Sequence, residues 1–390
     1  MKQDTLHRLV DIWATGEASA SLGFAAARVF DELDPLEKIK NAKFEAEGVS
    51  GGTGTLRAMR KLQKAALEYL NSKPAEPPSD PMIRFSLLDS VANVLCPACK
   101  LWNTGHGANM MREAVSLMGG YGITEDCPGF LGHKWMDAQL EATYEGPEAV
   151  QRRQLTLTMT DELFLAQFRL WIAEMRQIAA SHPGTGACTL GTAMQMWLWT
   201  LQHLQKASDA EGERLYQSSR HGVTFPLADA LCWLLAARCQ ILDLLELEDK
   251  GGAGVDSGLL GFFTDLCHVQ SGRAAGEVGR ICASLVFGFN RHPAWDVEGC
   301  ASCYHGDELE AMEGLIPGIA SMARGYTDVI EADGSHAAKA GPCAKFDGCD
   351  QFTRLRVRMD GCLTGSFLAK DRAAEALTHV MIPEALDYPA

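Results

Sequence analysis

The sequence is poor in positive charge. Its 35 Lys and Arg stand against 50 Asp and Glu, so the 390-residue chain has a formal net charge of -15 at pH 7. A surface of that sign is repelled by the phosphate backbone of nucleic acids and by anionic membranes. We therefore expect no nucleic acid as a partner. The charge does not exclude an anionic substrate that binds in a locally basic pocket.

A secretory signal and a membrane span are also lacking. Residues 1–20 carry charges where a signal peptide has its apolar region. The most apolar run, residues 228–245, is interrupted by Asp229, Arg238 and Asp243 and falls short of the ~20 apolar residues of a span. Thirteen cysteines without a signal fit a reducing compartment. The sequence thus predicts a cytoplasmic protein with no membrane span.

Strand signals are scarce, and no internal repeat is evident. Only residues 352–361, "FTRLRVRMDG", are compatible with either an extended or a helical segment. Elsewhere apolar residues recur at helical spacing, which predicts an all-α fold. We expect helices at residues 5–32, 56–70, 81–118, 147–181, 187–207, 226–249, 259–289 and 307–326, with Gly- or Pro-rich links between several of them.

Small residues form one stripe along the predicted helix 259–289. They are Gly272, Ala275, Gly276, Gly279 and Ala283. Each glycine inside a helix costs about 1 kcal/mol relative to alanine, so a compensating contact is expected. The stripe therefore predicts that a second helix packs closely against this one.

Two sequence blocks follow one another between residues 114 and 153. The first, "AVSLMGGYGIT", ends a helix in glycines, and the second is "MDAQLEATYEGPEAVQRR". Together they resemble the C-terminal helical domain of acyl-CoA dehydrogenases. The residues that match in order are Gly119, Gly120, Gly122, Thr124, Pro128, Asp137, Ala138, Tyr144, Glu145, Gly146, Gln151 and Arg152.

The resemblance implies a flavin-dependent α,β-dehydrogenation of an acyl-CoA thioester. In that family the glutamate of the Tyr-Glu-Gly motif often removes the α-proton as general base, and its backbone N–H helps to hold the thioester oxygen. Carried over, Glu145 is the catalytic residue. A general base requires a dry pocket within hydrogen-bond reach of that proton. The alternative is that Glu145 is a solvated acid at a helix start, where acids are common.

The resemblance also implies FAD as cofactor. It assigns cofactor-binding positions to Gly119, Gly120, Tyr144, Gly146 and Gln151. Glycines at the end of a helix equally suit a simple helix C-cap followed by a turn. The sequence assigns no metal ligand.

Three positions depart from the family pattern. Ser116 stands where glutamine is usual, Met136 where arginine is usual, and Pro147 where threonine is usual. The arginine and threonine are hydrogen-bond donors, so flavin contacts at these positions are in doubt while the fold is not.

The resemblance divides the chain into residues 1–180, similar to the acyl-CoA dehydrogenase C-terminal domain, and residues 181–390, similar to the helical C-terminal extension of some members. No counterpart of the family's N-terminal flavin-binding domains is recognised, so the sequence predicts a fragment or a split subunit. Expected partners are an acyl-CoA substrate, an electron-transfer flavoprotein or similar acceptor, and a homo-oligomer or a partner chain that supplies the missing domains. Two alternatives stay open: a non-catalytic helical assembly subunit and a metal-binding helical module.

The cysteines support that last alternative only weakly. Cys300 and Cys303 form a CxxC, whereas Cys343 and Cys349 are separated by five residues, outside the usual zinc spacing. Free thiols are the preferred interpretation. Cys96 and Cys99 of "CPAC" fall in a predicted helix without a βαβ context, which favours core packing over redox chemistry.

Overall fold

The computed structural model describes residues 2–73, 76–127, 129–209, 212–251, 256–288 and 349–381. Over these ranges the chain is helical, and its only extended pairing is one isolated bridge between Ser208 and Arg214. The predicted all-α class is confirmed. The helices are α1 (Gln3–Ala46), α2 (Gly51–Asn71), α3 (Pro81–Leu101), α4 (Ala108–Leu117), α5 (Leu131–Glu141), α6 (Glu148–Thr158), α7 (Glu162–Ser181), α8 (Ala187–Lys206), α9 (His221–Gly251), α10 (Ser257–Gly288), α11 (Cys349–Cys362) and α12 (Ser366–Ala376). The predicted helix 307–326 lies outside the described residues.

The first helix is longer than the sequence predicts. A helix ending before Pro35 was expected, but α1 continues through that proline to Ala46. Proline removes one backbone hydrogen bond and normally kinks or ends a helix. Here Leu33 and Leu36 are buried in a cluster with Met82 and Phe85 of α3, and this packing holds the turn around the proline. Burial on both sides of Pro35 outweighs the local penalty.

The predicted helix 147–181 is instead two helices. It breaks after Thr158, and α7 begins at Glu162. Asp161 caps the second helix, since its carboxylate accepts hydrogen bonds from Leu163 N at 2.7 Å and from Phe164 N at 3.0 Å. Such a cap satisfies amides that have no partner inside the helix. Residues 352–361, for which two conformations were considered, are helical in α11.

The main hydrophobic core lies where α9 meets α8 and α10. Its largest buried side chains include Phe164, Phe168 and Trp197, and Trp197 also donates its indole N–H to the carbonyl of Leu227 at 2.9 Å. This cluster contains residues from both sides of position 180. The division of the chain at residue 180 stays a prediction.

The small residues of α10 face the helices near the end of the described chain. A Cβ on Gly279 would lie 2.7 Å from a guanidinium nitrogen of Arg356 in α11, and one on Gly272 would lie 3.7 Å from Leu363. Gly276 is exposed and a Cβ there would meet nothing within 4 Å. Tight packing of a second helix is thus found at Gly279, ordinary van der Waals contact at Gly272 and no neighbour at Gly276. At Gly279 and Gly272 the nearest atoms belong to side chains, so the stripe does not bring a second helix backbone into direct contact at these positions.

One helical stretch among the described residues, Pro81–Leu117, is long and apolar enough to cross a membrane by length and composition. Of its most apolar window, 56% is buried inside the fold. Burial of this kind is found in the core helices of water-soluble domains, so the stretch is weak evidence for a span.

Candidate functional site

The loop between α5 and α6 holds Glu145 in an unusual backbone conformation. Its φ of 46° lies in the left-handed region, which costs a residue with a Cβ about 1–2 kcal/mol. Lys100 of α3 stabilises this conformation, because its ammonium donates to the carbonyl of Tyr144 at 2.6 Å and to the carbonyl of Glu145 at 2.8 Å. Non-glycine residues with such strained backbones cluster at functional sites.

The described part of the fold does not enclose Glu145. The residue is exposed, and it does not line the polar cavity described below. Its neighbour Tyr144 is 41% exposed and donates its hydroxyl to Glu141 at 2.6 Å, which raises the pKa of the tyrosine. The dry pocket that a general base requires is therefore not formed by the described residues themselves.

Gly146 and Gln151 are in direct contact. The side-chain amide of Gln151 donates to the carbonyl of Gly146 at 2.9 Å. Gly146 has a φ of 93°, and a Cβ at this position would overlap the Gln151 amide nitrogen. The space above Gly146, a position that the resemblance assigns to cofactor binding, is filled by Gln151.

The glycines of the first block lie in a different contact environment. Gly119 and Gly120 open a 3-10 turn, Gly119–Ile123, that packs on α4 and α5. Both glycines are exposed, and a Cβ on either would meet nothing within 4 Å. Gly119 has a φ of 64°, so backbone conformation rather than a tight cradle explains the glycine there. The two blocks thus provide an open surface, not an enclosed cofactor pocket.

A polar cavity of about 300 Å³ lies beside the loop between α5 and α6. It is formed where α6, α9 and α10 meet the π-helical segment Trp102–Gly107, which lies between α3 and α4. Its lining includes His106, Glu148, Arg152 and Asp229. Short π-helical segments are rare and frequent at functional sites. The sequence-based assignment missed this cavity. An available signal was Asp229, an acid within the most apolar run of the chain.

His106 is neutral in this cavity. Its ring contacts both Trp102 and Trp233, with centroid distances of 4.6 and 4.2 Å, and the two indoles also contact each other. Burial, and second the charge of Arg273, lower the pKa of His106 to about 3. A guanidinium nitrogen of Arg273 lies 3.3 Å from Nε2, which therefore accepts, so the ring proton is on Nδ1.

Arg152 joins two acids at the mouth of the same cavity. It donates to Asp229 at 2.8 Å and to Glu148 at 2.9 Å. Burial raises the pKa of Asp229, and Arg152 opposes that rise without cancelling it. The match of Arg152 to the family motif is thus explained by a link between α6 and α9, a structural role.

The remaining candidate groups are thiols. Cys96 and Cys99 are half-buried and free on α3, and burial raises the pKa of Cys96 to about 11. Both observations favour the packing interpretation over redox chemistry. Cys300, Cys303 and Cys343 lie outside the described residues, as does the side chain of Cys349. Among the residues that the structure does describe, no three His, Cys, Asp or Glu side chains cluster as metal ligands.

Large apolar side chains are exposed around the two blocks. They lie on the 3-10 turn, on α5 and at the ends of both: Met118, Tyr121, Ile123, Phe130, Met136 and Leu140. Contiguous exposed apolar surface commonly marks a protein interface or a ligand-binding groove.

Comparisons with known proteins agree with the resemblance of these blocks. Residues 55–159 match the family model of the acyl-CoA dehydrogenase C-terminal domain. The resemblance to that family is thereby confirmed for this segment, which contains the Glu145 loop. No curated protein matches the sequence.

One solved structure is similar over most of the chain: an acyl-CoA dehydrogenase from Bacillus anthracis complexed with FAD. It is 12% identical, with a TM-score of 0.45, over 94% of this chain and 49% of its own. The present chain therefore spans about half the length of that protein. A likeness of this degree identifies no site residue.

Proposed function

We propose that the chain is part of a flavin-dependent acyl-CoA dehydrogenase and that Glu145 is the base that removes the α-proton of an acyl-CoA thioester. The observation that carries the proposal is the position of Glu145. It lies within the segment that matches the family, and it occupies a left-handed backbone conformation that Lys100 holds. A solvated acid at a helix start has no need of such strain.

The chemistry assigned to Glu145 is proton transfer. Its exposed carboxylate accepts the α-proton of a thioester placed against the loop, and its backbone N–H is assigned to the thioester oxygen. Bound FAD supplies the acceptor for the hydride that leaves the β-carbon. Lys100 fixes the backbone carbonyls on either side of the Glu145 Cα, so the backbone N–H of Glu145 keeps a defined orientation.

The residues assigned to FAD fit one wall of a binding site. The surface at Gly119 and Gly120 is open, so a ligand or another chain can approach the backbone closely there. Tyr144, which follows later in the sequence, is also exposed. Gln151, however, is already bonded to Gly146. Its amide has to move before it can contact a cofactor. The described residues do not form the opposite wall, so we assign retention of FAD to an assembly rather than to this chain alone.

The exposed apolar side chains around the two blocks support such an assembly. We propose that they are covered by another copy of the chain or by a partner polypeptide, which would also exclude water from Glu145. An electron-transfer flavoprotein or similar acceptor is the proposed oxidant, and the cytoplasm the proposed compartment.

The test is to purify the chain from its own cells together with whatever binds it. The proposal expects flavin absorbance that is bleached when a saturated acyl-CoA is added. Glu145→Gln should keep the flavin and lose the bleaching, whereas Glu125→Gln, which changes an exposed acid on a neighbouring loop, should keep both. Bleaching that survives Glu145→Gln would contradict the role of Glu145.

A second candidate, a non-catalytic assembly subunit, is favoured by one observation. Glu145 is exposed and does not line the polar cavity, while apolar residues around it are exposed as an interface would require. Met136 and Pro147, which replace an arginine and a threonine of the family, agree with this reading. The same purification decides: a stable complex without flavin supports this candidate and opposes the first.

A further inference from the structure

Two cysteines that are far apart in sequence meet at the surface of the fold. Cys188 lies in the first turn of α8 and Cys362 is the last residue of α11. They are 174 positions apart, yet their sulfur atoms are 3.9 Å from each other. Cys188 is the one exposed cysteine among the described residues, and Cys362 is half-buried beside it.

The surrounding contacts fix this pairing. The hydroxyl of Thr189 donates to the carbonyl of Cys362 at 3.0 Å. At the other end of the same two helices, the indole of Trp199 donates to Gln351 at 3.0 Å, and the rings of Trp199 and Phe352 lie 5.4 Å apart. Helix α11 therefore runs antiparallel to α8, with both ends attached. The two thiols lie at one of those attachments.

We propose that Cys188 and Cys362 are a site of reversible oxidative modification, at which a low-molecular-weight disulfide such as glutathione disulfide converts the pair into an intramolecular disulfide that fastens α11 to α8. The sulfurs have to approach from 3.9 Å to about 2.05 Å. We expect the end of α11 and the turn that follows it, between Gly361 and Gly365, to make this movement.

The order of the steps follows from accessibility. The exposed thiol of Cys188 loses its proton and attacks glutathione disulfide; the glutathione S–S bond breaks, one glutathione leaves, and Cys188 is joined to the other. Cys362 then loses its proton, attacks the Cys188 sulfur and releases the second glutathione. Two protein thiols are oxidised and one glutathione disulfide is reduced to two glutathiones. Burial raises the pKa of Cys362, so this thiol is the slower of the two to attack an external disulfide and Cys188 reacts first.

The other described cysteines lack these properties. Cys127, Cys232, Cys239, Cys267 and Cys282 are buried, and Cys96 and Cys99 are half-buried, so none of them is exposed as Cys188 is. Burial raises the pKa of six of these thiols: Cys96 (to about 11), Cys99, Cys232, Cys239 and Cys282 (both to about 12) and Cys267. A buried protonated thiol is inert towards a polar disulfide. We therefore expect selective oxidation at Cys188 and Cys362 within the described part of the chain.

The experiment uses the full chain equilibrated at a series of ratios of glutathione to glutathione disulfide. Free thiols are then alkylated and every cysteine is mapped by peptide mass spectrometry. The expected product is one crosslinked pair of peptides containing Cys188 and Cys362, reversed by dithiothreitol. Alkylation of both thiols at every ratio would overturn the proposal.

Single serine variants test the two roles separately. Cys362→Ser should accumulate the glutathione adduct on Cys188, because the resolving thiol is gone. Cys188→Ser should leave Cys362 free, and Cys127→Ser, at a buried cysteine, should behave as wild type. Wild-type protein that accumulates as much adduct as Cys362→Ser would show that Cys362 does not resolve it.

Hydrogen exchange tests the attachment of α11. In the crosslinked protein, exchange of the α11 amides should slow by about tenfold or more, because local opening then occurs against a covalent link. The Cys362→Ser adduct should show no such protection. A crosslink that forms without slowing this exchange would refute the claim that it fastens the helix.

Discussion

The left-handed backbone of Glu145 predicts the sign of the stability difference between a glycine and an alanine variant at this position. We compare Glu145→Gly with Glu145→Ala, which both remove the exposed carboxylate and carry the same charge. At an ordinary position alanine is the more stabilising residue by about 0.4–1 kcal/mol, since glycine gives the unfolded chain more conformational entropy. At a φ of 46° a Cβ costs about 1–2 kcal/mol, which glycine avoids. We therefore expect the glycine variant to be more stable by about 1 kcal/mol.

Both variants are unfolded in urea, and their unfolding midpoints are compared with the same m-value, the slope of the unfolding free energy against urea concentration. A control pair at Glu125, an exposed loop acid whose backbone is not left-handed, should show the ordinary order, with alanine more stable than glycine. If alanine were more stable at both positions, Glu145 would not be in the left-handed conformation. The strain on which its assignment depends would then not exist.

Three further changes test two groups of the polar cavity and one close approach between α8 and α10. Arg152→Met should destabilise the protein by about 2 kcal/mol at pH 7, a value that allows for solvent screening because Asp229 is 36% exposed. The loss of stability, measured by urea unfolding, should shrink towards pH 4, because burial raises the pKa of Asp229 and its carboxyl group becomes protonated there. Burial holds the pKa of His106 at about 3 in the folded protein, so below pH 6.5 the unfolded chain binds a proton that the folded protein does not. Stability should therefore fall by up to about 1.4 kcal/mol per pH unit as the pH is lowered from 6.5. His106→Gln should remove that part of the slope in a pH series of unfolding curves. Gly186→Ala should destabilise by about 3 kcal/mol in urea unfolding, since its φ is 76° and the new Cβ would lie 2.8 Å from Ser271. Wild-type stability of Arg152→Met or Gly186→Ala, or a wild-type pH slope in His106→Gln, would contradict the contacts described.

The helical class was predictable because apolar periodicity is a local property. The errors occurred where a distant contact overrides a local signal. Pro35 predicts a helix end from its own chemistry, but the buried Leu33 and Leu36 pack on α3, which follows much later in the sequence. The opposite error concerns Asp161. Its capping geometry is local, yet apolar spacing continued on both sides of it and obscured the break.

The candidate site divides in the same way. The loop containing Glu145 was recognisable because its motif is contiguous. Lys100, which holds that loop, lies 45 residues earlier, and nothing in its own neighbourhood indicates the contact. The polar cavity combines His106 with Asp229 from two distant helices. Only the folded chain brings such residues together.

The central claim is tested most directly by exchange of the α-protons of a saturated acyl-CoA in deuterated water, catalysed by the chain in the complex isolated from its own cells. The account predicts exchange by wild type and by Glu125→Gln, and a loss of about 10²–10⁴-fold for Glu145→Gln, the usual contribution of a general base. Exchange by Glu145→Gln at the wild-type rate would contradict it.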